Sequence, residues 1–320
     1  MKRFALLLVA ALTSTAMIQA PARAADGIHA LGTGTGFYYG AVTLGVSPTG
    51  LTGFQLRDPA RNNSATLTKT GAPITSPTSH FGDGGNNPIS AAADAHYALA
   101  ATYDYFRTNH GFAGMLQYRI PDPYNGRPVV SLDLIGHEAS HTVIDSLVGL
   151  NYTGESAGLR EAWADVFGTL VEFSVNHPAD VPDYTIGEKL GVPLRRLDDP
   201  ALDGVSDSCW TTATKTKSPW AASGVGRHAF YLMAVGAGPT CGGMPAPVGI
   251  GNAKSARIWY RSLLYMTPST VYVSSSGANT ARRAMVNAAL DLYGHGPECV
   301  AVKAAWTAVA VPATTGEAAC

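Results

Sequence analysis

The chain predicts an α+β protein of two lobes, β-rich on the N-terminal side and mainly helical on the C-terminal side. Three observations carry this. Residues 27–90 are rich in Gly, Thr, Ser, Pro and Asn and hold short apolar runs such as "GFYYGAVTLGV", the texture of strands and turns. From Ser90 the texture changes to the alanine-rich "SAAADAHYALAATYDYFRTNHG", a helix with a Ser near its start and a Gly stop. Beyond residue 222 the stretches "SGVGRHAFYLMAVG", "NAKSARIWYRSLLYM", "TARRAMVNAALDLYG" and "ECVAVKAAWTAVAV" are helical, and no internal repeat is visible.

In chain order, the first segment is a leader. Lys2 and Arg3 precede the apolar "FALLLVAALTSTAMI", and Ala22-Arg23-Ala24 forms an A-x-A cleavage site, so residues 1–24 read as a signal peptide. The expected product is secreted, extracellular or periplasmic in a Gram-negative host, with no membrane span in the mature chain. Two lobes follow, residues 25–149 and 150–320. Hydrophobic residues make up 46% and charged residues 14%, enough for a large core and against disorder. Lys and Arg total 22 against 23 Asp and Glu, so no basic surplus is available for nucleic acid. The four cysteines, Cys209, Cys241, Cys299 and Cys320, fit two disulfides in an oxidising compartment. Three pairings are possible; neighbours along the chain, Cys209–Cys241 and Cys299–Cys320, are the simplest.

Two helices carry the chemistry. "SLDLIGHEASHTVIDSLVG" places Leu134, Val143, Ile144, Leu147 and Val148 as its apolar positions and ends at Gly149. Residues four apart share a helix face, so His137 and His141 can aim both imidazoles at one metal ion, with Glu138 beside the first to reach a water. By itself this short motif also fits two surface histidines on an ordinary helix. A catalytic zinc takes three protein ligands and leaves a fourth position open. Glu161, twenty positions past His141, offers the third, and Asp165 lies one turn on, placed to accept a hydrogen bond from a ligand histidine. Both acids sit among Trp163, Val166 and Phe167 in "GLREAWADVFGTLVEF", and ionised groups flanked by apolar residues need partners.

The segments "DLIGHEASHTVID", "GLNYTGESAGLREAWADVFGTLVEF", "PDYTIGE", "LRRLDDP", "SGVGRHAFYLM" and "GIGNAKSARIWYRSLLYMTPST" resemble, in order, the thermolysin family of secreted zinc endopeptidases. The resemblance runs over roughly residues 30–312. It implies a two-lobed, thermolysin-like fold with the zinc helix at the lobe boundary. It implies zinc on His137, His141 and Glu161, Glu138 as general base, and Asp165 orienting His137. It further implies that Tyr152 stabilises the tetrahedral intermediate and that Arg195 binds a substrate carbonyl. Asp133, Glu172, Asp183 and Glu188 match calcium ligands. Thr185 stands where a paired calcium site has a glutamate, so one Ca²⁺ is expected. A monomer acting on peptide or protein substrates follows. The aminopeptidase group that shares the zinc motif is disfavoured, because its G-x-M-E-N motif is absent.

The chain also departs from that family's pattern. Trp220 stands where a histidine donates to the developing oxyanion. Arg160 occupies the position of the asparagine that supports the second zinc histidine. The interval that holds a substrate-binding edge strand in that family, residues 107–132 here, lacks the Asn-Ala pair and is abbreviated. The mature-like sequence follows the leader without the long pro-segment of relatives. These departures predict reduced turnover. They also define the competing reading, a catalytically impaired zinc and calcium protein that binds peptides or an exported partner. An intact Glu138 favours the enzyme, since a pure binding protein has no use for a base beside the metal.

Overall fold

The structure, a computed structural model, describes residues 30–320. The leader and its cleavage site lie outside the described residues. Strands β1 (Ala30–Gly36) and β2 (Gly40–Pro48) form an antiparallel hairpin in which Thr33 faces Thr43. The short strands β3 (Phe54–Gln55), β4 (Arg57–Asp58), β5 (Ser64–Leu67), β6 (Thr75–Ser76) and β7 (His80–Phe81) follow. A five-stranded sheet has the order β6-β3-β2-β1-β7, with β7 parallel to β1.

Helix α1 (Pro88–His110) packs on this sheet. Its cap is Asn87 rather than the expected Ser90: the Asn87 side chain accepts from the amides of Ile89 and Ser90, both at 3.0 Å. Pro88 then fits the first helical position, where no N–H is needed. Gly111 ends the helix at φ 72°, a conformation that favours glycine. From α1 the buried Asp94 accepts from the amides of Tyr38 (2.7 Å) and Tyr39 (3.2 Å), pinning the hairpin turn to the helix.

Strand β8 (Gln117–Arg119) lies in the interval that looks abbreviated in the sequence. It forms the edge of a second sheet of order β4-β5-β8, with Tyr118 buried and Gln117 and Arg119 exposed. An edge strand is therefore present there, three residues long.

Helices α2 (Leu132–Leu147) and α3 (Gly154–Val175) form the centre of the molecule. A ribbon of β9 (Thr185–Ile186) and β10 (Arg195–Arg196) and the helices α4 (Pro219–Val235), α5 (Gly251–Ser262), α6 (Ala281–Tyr293) and α7 (Pro297–Ala308) complete the second lobe. Trp163 of α3 stacks on Trp259 of α5 at 4.1 Å between ring centroids, and Trp259 on Trp306 of α7 at 6.3 Å, so three fully buried indoles tie these helices into one core. The disulfides are Cys209–Cys241 and Cys299–Cys320.

The crossing of α2 and α3 is closer than side chains allow. A Cβ on Gly136 would fall 2.9 Å from the Gly168 Cα, and a Cβ on Gly168 would fall 2.3 Å from the Asp133 carbonyl oxygen and 3.0 Å from the His137 amide nitrogen. These two glycines bring the backbones together and set how far a side chain of α3 must reach to meet the histidines of α2. Gly168→Ala must push the helices apart; a destabilisation of about 1–3 kcal/mol is expected, as for other overpacked cores. Urea unfolding, with zinc content measured on the same samples, checks this, and both stability and zinc content should fall.

Candidate metal centre

His137 and His141 project from one face of α2, and Glu161 meets them from α3. The two Nε2 atoms are 3.2 Å apart. Glu161 Oε2 lies 3.4 Å from His137 Nε2, and Oε1 lies 3.6 Å from His141 Nε2. Four ligands about 2.0–2.1 Å from a tetrahedral zinc are separated from one another by about 3.3 Å. The two imidazole nitrogens, and each of them with the nearer Glu161 oxygen, thus lie at about the spacing that ligands of such an ion require. Two imidazole nitrogens and a carboxylate are also a donor set that zinc favours, so the residues fit the ion.

The electrostatics separate the two histidines. Burial alone would push His137 down, but Asp165 and Glu161 overcome it and hold the imidazole up at about 9. Burial and the charge on His137 drive His141 down to about 3. The His137 Nδ1 pairs with Asp165 Oδ1 at 2.6 Å, which fixes the ring orientation and turns Nε2 toward Glu161. His141 Nδ1 is buried without a partner among the described residues. Arg160, at the position of a supporting asparagine in the resembled family, carries donors only and cannot accept from it.

Asp165 is fully buried and joins four elements. Besides His137, it takes a two-point contact from Arg195 of β10, Nε at 2.8 Å and Nη2 at 2.7 Å, and a third from Arg227 Nη1 of α4 at 2.9 Å. Burial opposes its ionisation, yet Arg195, His137 and Arg227 hold it well below the usual carboxylate range. Arg227 is itself fully buried and also donates to Ser223 Oγ (2.8 Å) and Ser206 Oγ (2.9 Å). The sequence reading did not single it out. Its signal was an arginine inside the otherwise apolar "SGVGRHAFYLM". Arg195, assigned to a substrate carbonyl by resemblance, spends Nε and Nη2 on Asp165 and keeps Nη1 as its remaining nitrogen.

Glu138 follows His137 and is exposed. Tyr152 lies in the loop between α2 and α3, 69% exposed, and its hydroxyl donates to Asp145 Oδ2 at 3.0 Å. Trp220 sits in the first turn of α4, is 57% exposed, and offers no imidazole to the site. His228, inside α4, is buried and its Nδ1 bonds the Ser208 carbonyl, a packing role.

A second cluster lies at the far ends of the same helices. Carboxylate oxygens of Glu172, Asp180 and Glu188 come within 4.8 Å of one another. Both oxygens of Glu172 and Oε1 of Glu188 are buried without a hydrogen-bond partner among the described residues. Burial and the charges of neighbouring acids raise Glu172 to about 10 and Glu188 to about 8. Orphaned carboxylate oxygens converging in this way suit a hard cation such as Ca²⁺. Asp133 is buried beside them, accepting from Ser131 Oγ and the Gly187 amide. Asp183 turns to Thr185 instead, accepting from its amide (2.6 Å) and hydroxyl (2.7 Å), and Asp180 joins Glu172 and Glu188. Asp180 also accepts from the Tyr39 hydroxyl at 2.6 Å, and that hydroxyl accepts from the Leu132 amide at 2.7 Å, linking the cluster to the first turn of α2.

Two family profiles match the chain. "Thermolysin metallopeptidase, alpha-helical domain" covers residues 148–311 and "Thermolysin metallopeptidase, catalytic domain" covers residues 31–118, on either side of α2. The chain belongs to the thermolysin metallopeptidase family, whose members are zinc-dependent. Among its relatives, the transglutaminase-activating metalloprotease of Streptomyces mobaraensis is 32% identical, over 88% of this chain and 42% of the relative. A bacillolysin of Bacillus caldolyticus is 34% identical, over 73% of this chain and 49% of the relative. The chain thus spans less than half the length of these curated relatives. In fold it is similar to the precursor of protealysin, a metalloproteinase from Serratia proteamaculans, with a TM-score of 0.57 at 20% identity over 91% of this chain and 90% of the other.

Asp165→Asn would leave Arg195 and Arg227 facing a neutral amide in a site closed to water. Removing one partner of a buried ionic cluster typically costs about 3–5 kcal/mol. Urea unfolding of this variant should show a loss of that size, against a much smaller change for Asp198→Asn at the half-exposed Arg196 pair.

Proposed function

We propose that this chain is an exported zinc-dependent metalloendopeptidase that hydrolyses peptide bonds in peptide or protein substrates. The observation that carries the reading is the spacing of His137 Nε2, His141 Nε2 and Glu161, which suits zinc, with the exposed carboxylate of Glu138 next in sequence. Bound there, zinc supplies Lewis acidity for carbonyl polarisation and water activation. Glu138 takes the proton of the attacking water and delivers it to the leaving amine. Tyr152 donates its hydroxyl to the oxyanion, and Arg195 Nη1 donates to a substrate carbonyl. A substrate backbone adds to the free edge of β8, a strand packed beside α2. Export is supported by the leader sequence and by two disulfides. The family relationship favours the enzyme over the peptide-binding alternative.

Ca²⁺ at Glu172, Asp180 and Glu188, with Asp133 alongside, is the second part of the proposal. The unpartnered oxygens support it, and the Tyr39 bridge would pass the benefit to the zinc helix.

The purified, zinc-loaded chain should carry about one zinc, as a mononuclear site requires, and should cleave peptides; Glu138→Gln should abolish cleavage while keeping the metal. With Trp220 outside the site, turnover should fall about 10²–10³ below that of a relative with the full donor set. Absence of zinc, or cleavage untouched by Glu138→Gln, would rule the reading out.

Calcium should raise the melting temperature and a chelator should lower it, because a ligand of the native state stabilises it by mass action. Protons compete for the raised Glu188 and Glu172, so calcium should bind more tightly as pH rises through about 8 toward about 10. Calorimetric titrations at several pH values check the direction.

A further inference from the structure

Arg160 is the residue before Glu161 on α3, and only 8% of it is exposed. Its guanidinium makes five contacts. Nε and Nη2 hold Asp145 at 3.2 and 2.9 Å. Nη2 also donates to the Tyr152 hydroxyl oxygen at 3.3 Å. The Cζ atom lies 4.4 Å from the centroid of the Tyr152 ring, and Nη1 lies 3.7 Å from Glu161 Oε1. One cation therefore connects an acid of the metal centre to a phenol that is otherwise 69% exposed on a loop. Asp145, one turn beyond His141, completes a ring of contacts by accepting the Tyr152 proton donor at 3.0 Å.

A strut between α2 and α3 would need only the Arg160–Asp145 pair. Of the remaining contacts, one reaches Glu161 and two, the hydrogen bond and the stacked cation, converge on Tyr152. A phenol so exposed has many rotamers open to it, and a stacked guanidinium that also bonds its oxygen selects one of them. We propose that Arg160 is a positioning residue of the active site: it fixes the Tyr152 hydroxyl and strengthens it as a donor, offsetting part of the oxyanion stabilisation that Trp220 does not supply. This rests on the reading of Tyr152 as an oxyanion donor. In the resting chain the Tyr152 hydroxyl donates to Asp145. As negative charge builds on the substrate oxygen, that O–H turns from Asp145 to the oxyanion, the proton staying on the phenol throughout. Arg160 keeps its bond to the phenol oxygen, drawing electron density from the O–H, and keeps Asp145 paired when the hydroxyl leaves it.

The test is a double-mutant cycle on zinc-loaded protein with Arg160→Gln, Tyr152→Phe and both together. It reads kcat and KM on a peptide, affinity for a phosphonate peptide that mimics the tetrahedral state, zinc content, and melting temperature. Arg160→Gln should lower kcat by about tenfold or more with KM changed far less, the signature of an interaction made in the transition state. Phosphonate affinity should fall in parallel at unchanged zinc content. On the Tyr152→Phe background the same change should have little further effect, and Arg160→Lys should recover part of the loss. Independent, multiplicative effects of the two substitutions would overturn the proposal. So would an unchanged phosphonate affinity, or a loss of zinc that accounts for the drop. If Arg160→Gln does not fold, Arg160→Lys takes its place in the cycle under the same criteria. A wild type that binds the phosphonate but cleaves nothing would defeat the peptidase reading alone, and the phosphonate affinities would still decide the coupling. A zinc-loaded wild type that binds no phosphonate would overturn both.

Discussion

A single buried carboxylate, Asp165, has to be satisfied before much else in this molecule can hold its shape. An ionised acid without water is tolerable only when surrounded by donors. Here α2 provides His137, β10 provides Arg195 and α4 provides Arg227. Each of those elements is thereby fixed to α3. The orientation of His137, the closed back wall of the centre and the angle of the β9–β10 ribbon share one electrostatic cause. Arg227 adds a second layer, since the same Nη1 also donates to Ser223 and Nη2 donates to Ser206. The acid and its two arginines are a structural device and a metal-site device at once, and a change to any of them should be felt in both.

The glycine crossing is the steric counterpart. With Gly136 and Gly168 in contact, Glu161 spans from α3 to two imidazoles on α2 without strain. A conventional helix crossing keeps axes 8–10 Å apart according to the side chains between them. Having none at this point lets the carboxylate arrive 3.4 and 3.6 Å from the two imidazole nitrogens. The crossing lies between the two clusters, with His137, His141 and Glu161 on one side and Asp133 and Glu172 on the other.

Much of this architecture was legible in the residues. The helical spacing of Leu159, Trp163, Val166, Phe167 and Leu170 marked α3, and all five are buried. The glycine stop after His110 marked the end of α1, while its start lay at Asn87 because an asparagine side chain bonded two amides and released Ser90 for other work. Histidines four apart on a helix announced the metal-facing pair. Asp180 could not be read in this way. It lies in an irregular segment, where spacing along the chain says nothing about direction in space, and it enters the acidic cluster through tertiary folding alone. Asp183, matched by family likeness, bonds Thr185 instead. Arg160 was visible as a departure, but its contacts with Tyr152 and Asp145 depend on how the loop after α2 returns across the helix.

The distance in sequence between the metal-facing groups has a consequence for timing. His137 and His141 belong to one helix, but two imidazoles alone make a poor site, and Glu161 reaches them only once α3 has docked through the paired glycines. A chain in which α3 has not docked therefore presents the two imidazoles, and Glu138 between them in sequence, with no carboxylate from α3 beside them. The three-donor arrangement is completed by the same helix contact that closes the core, so the pocket for a metal and the packing around Gly136 and Gly168 stand or fall together.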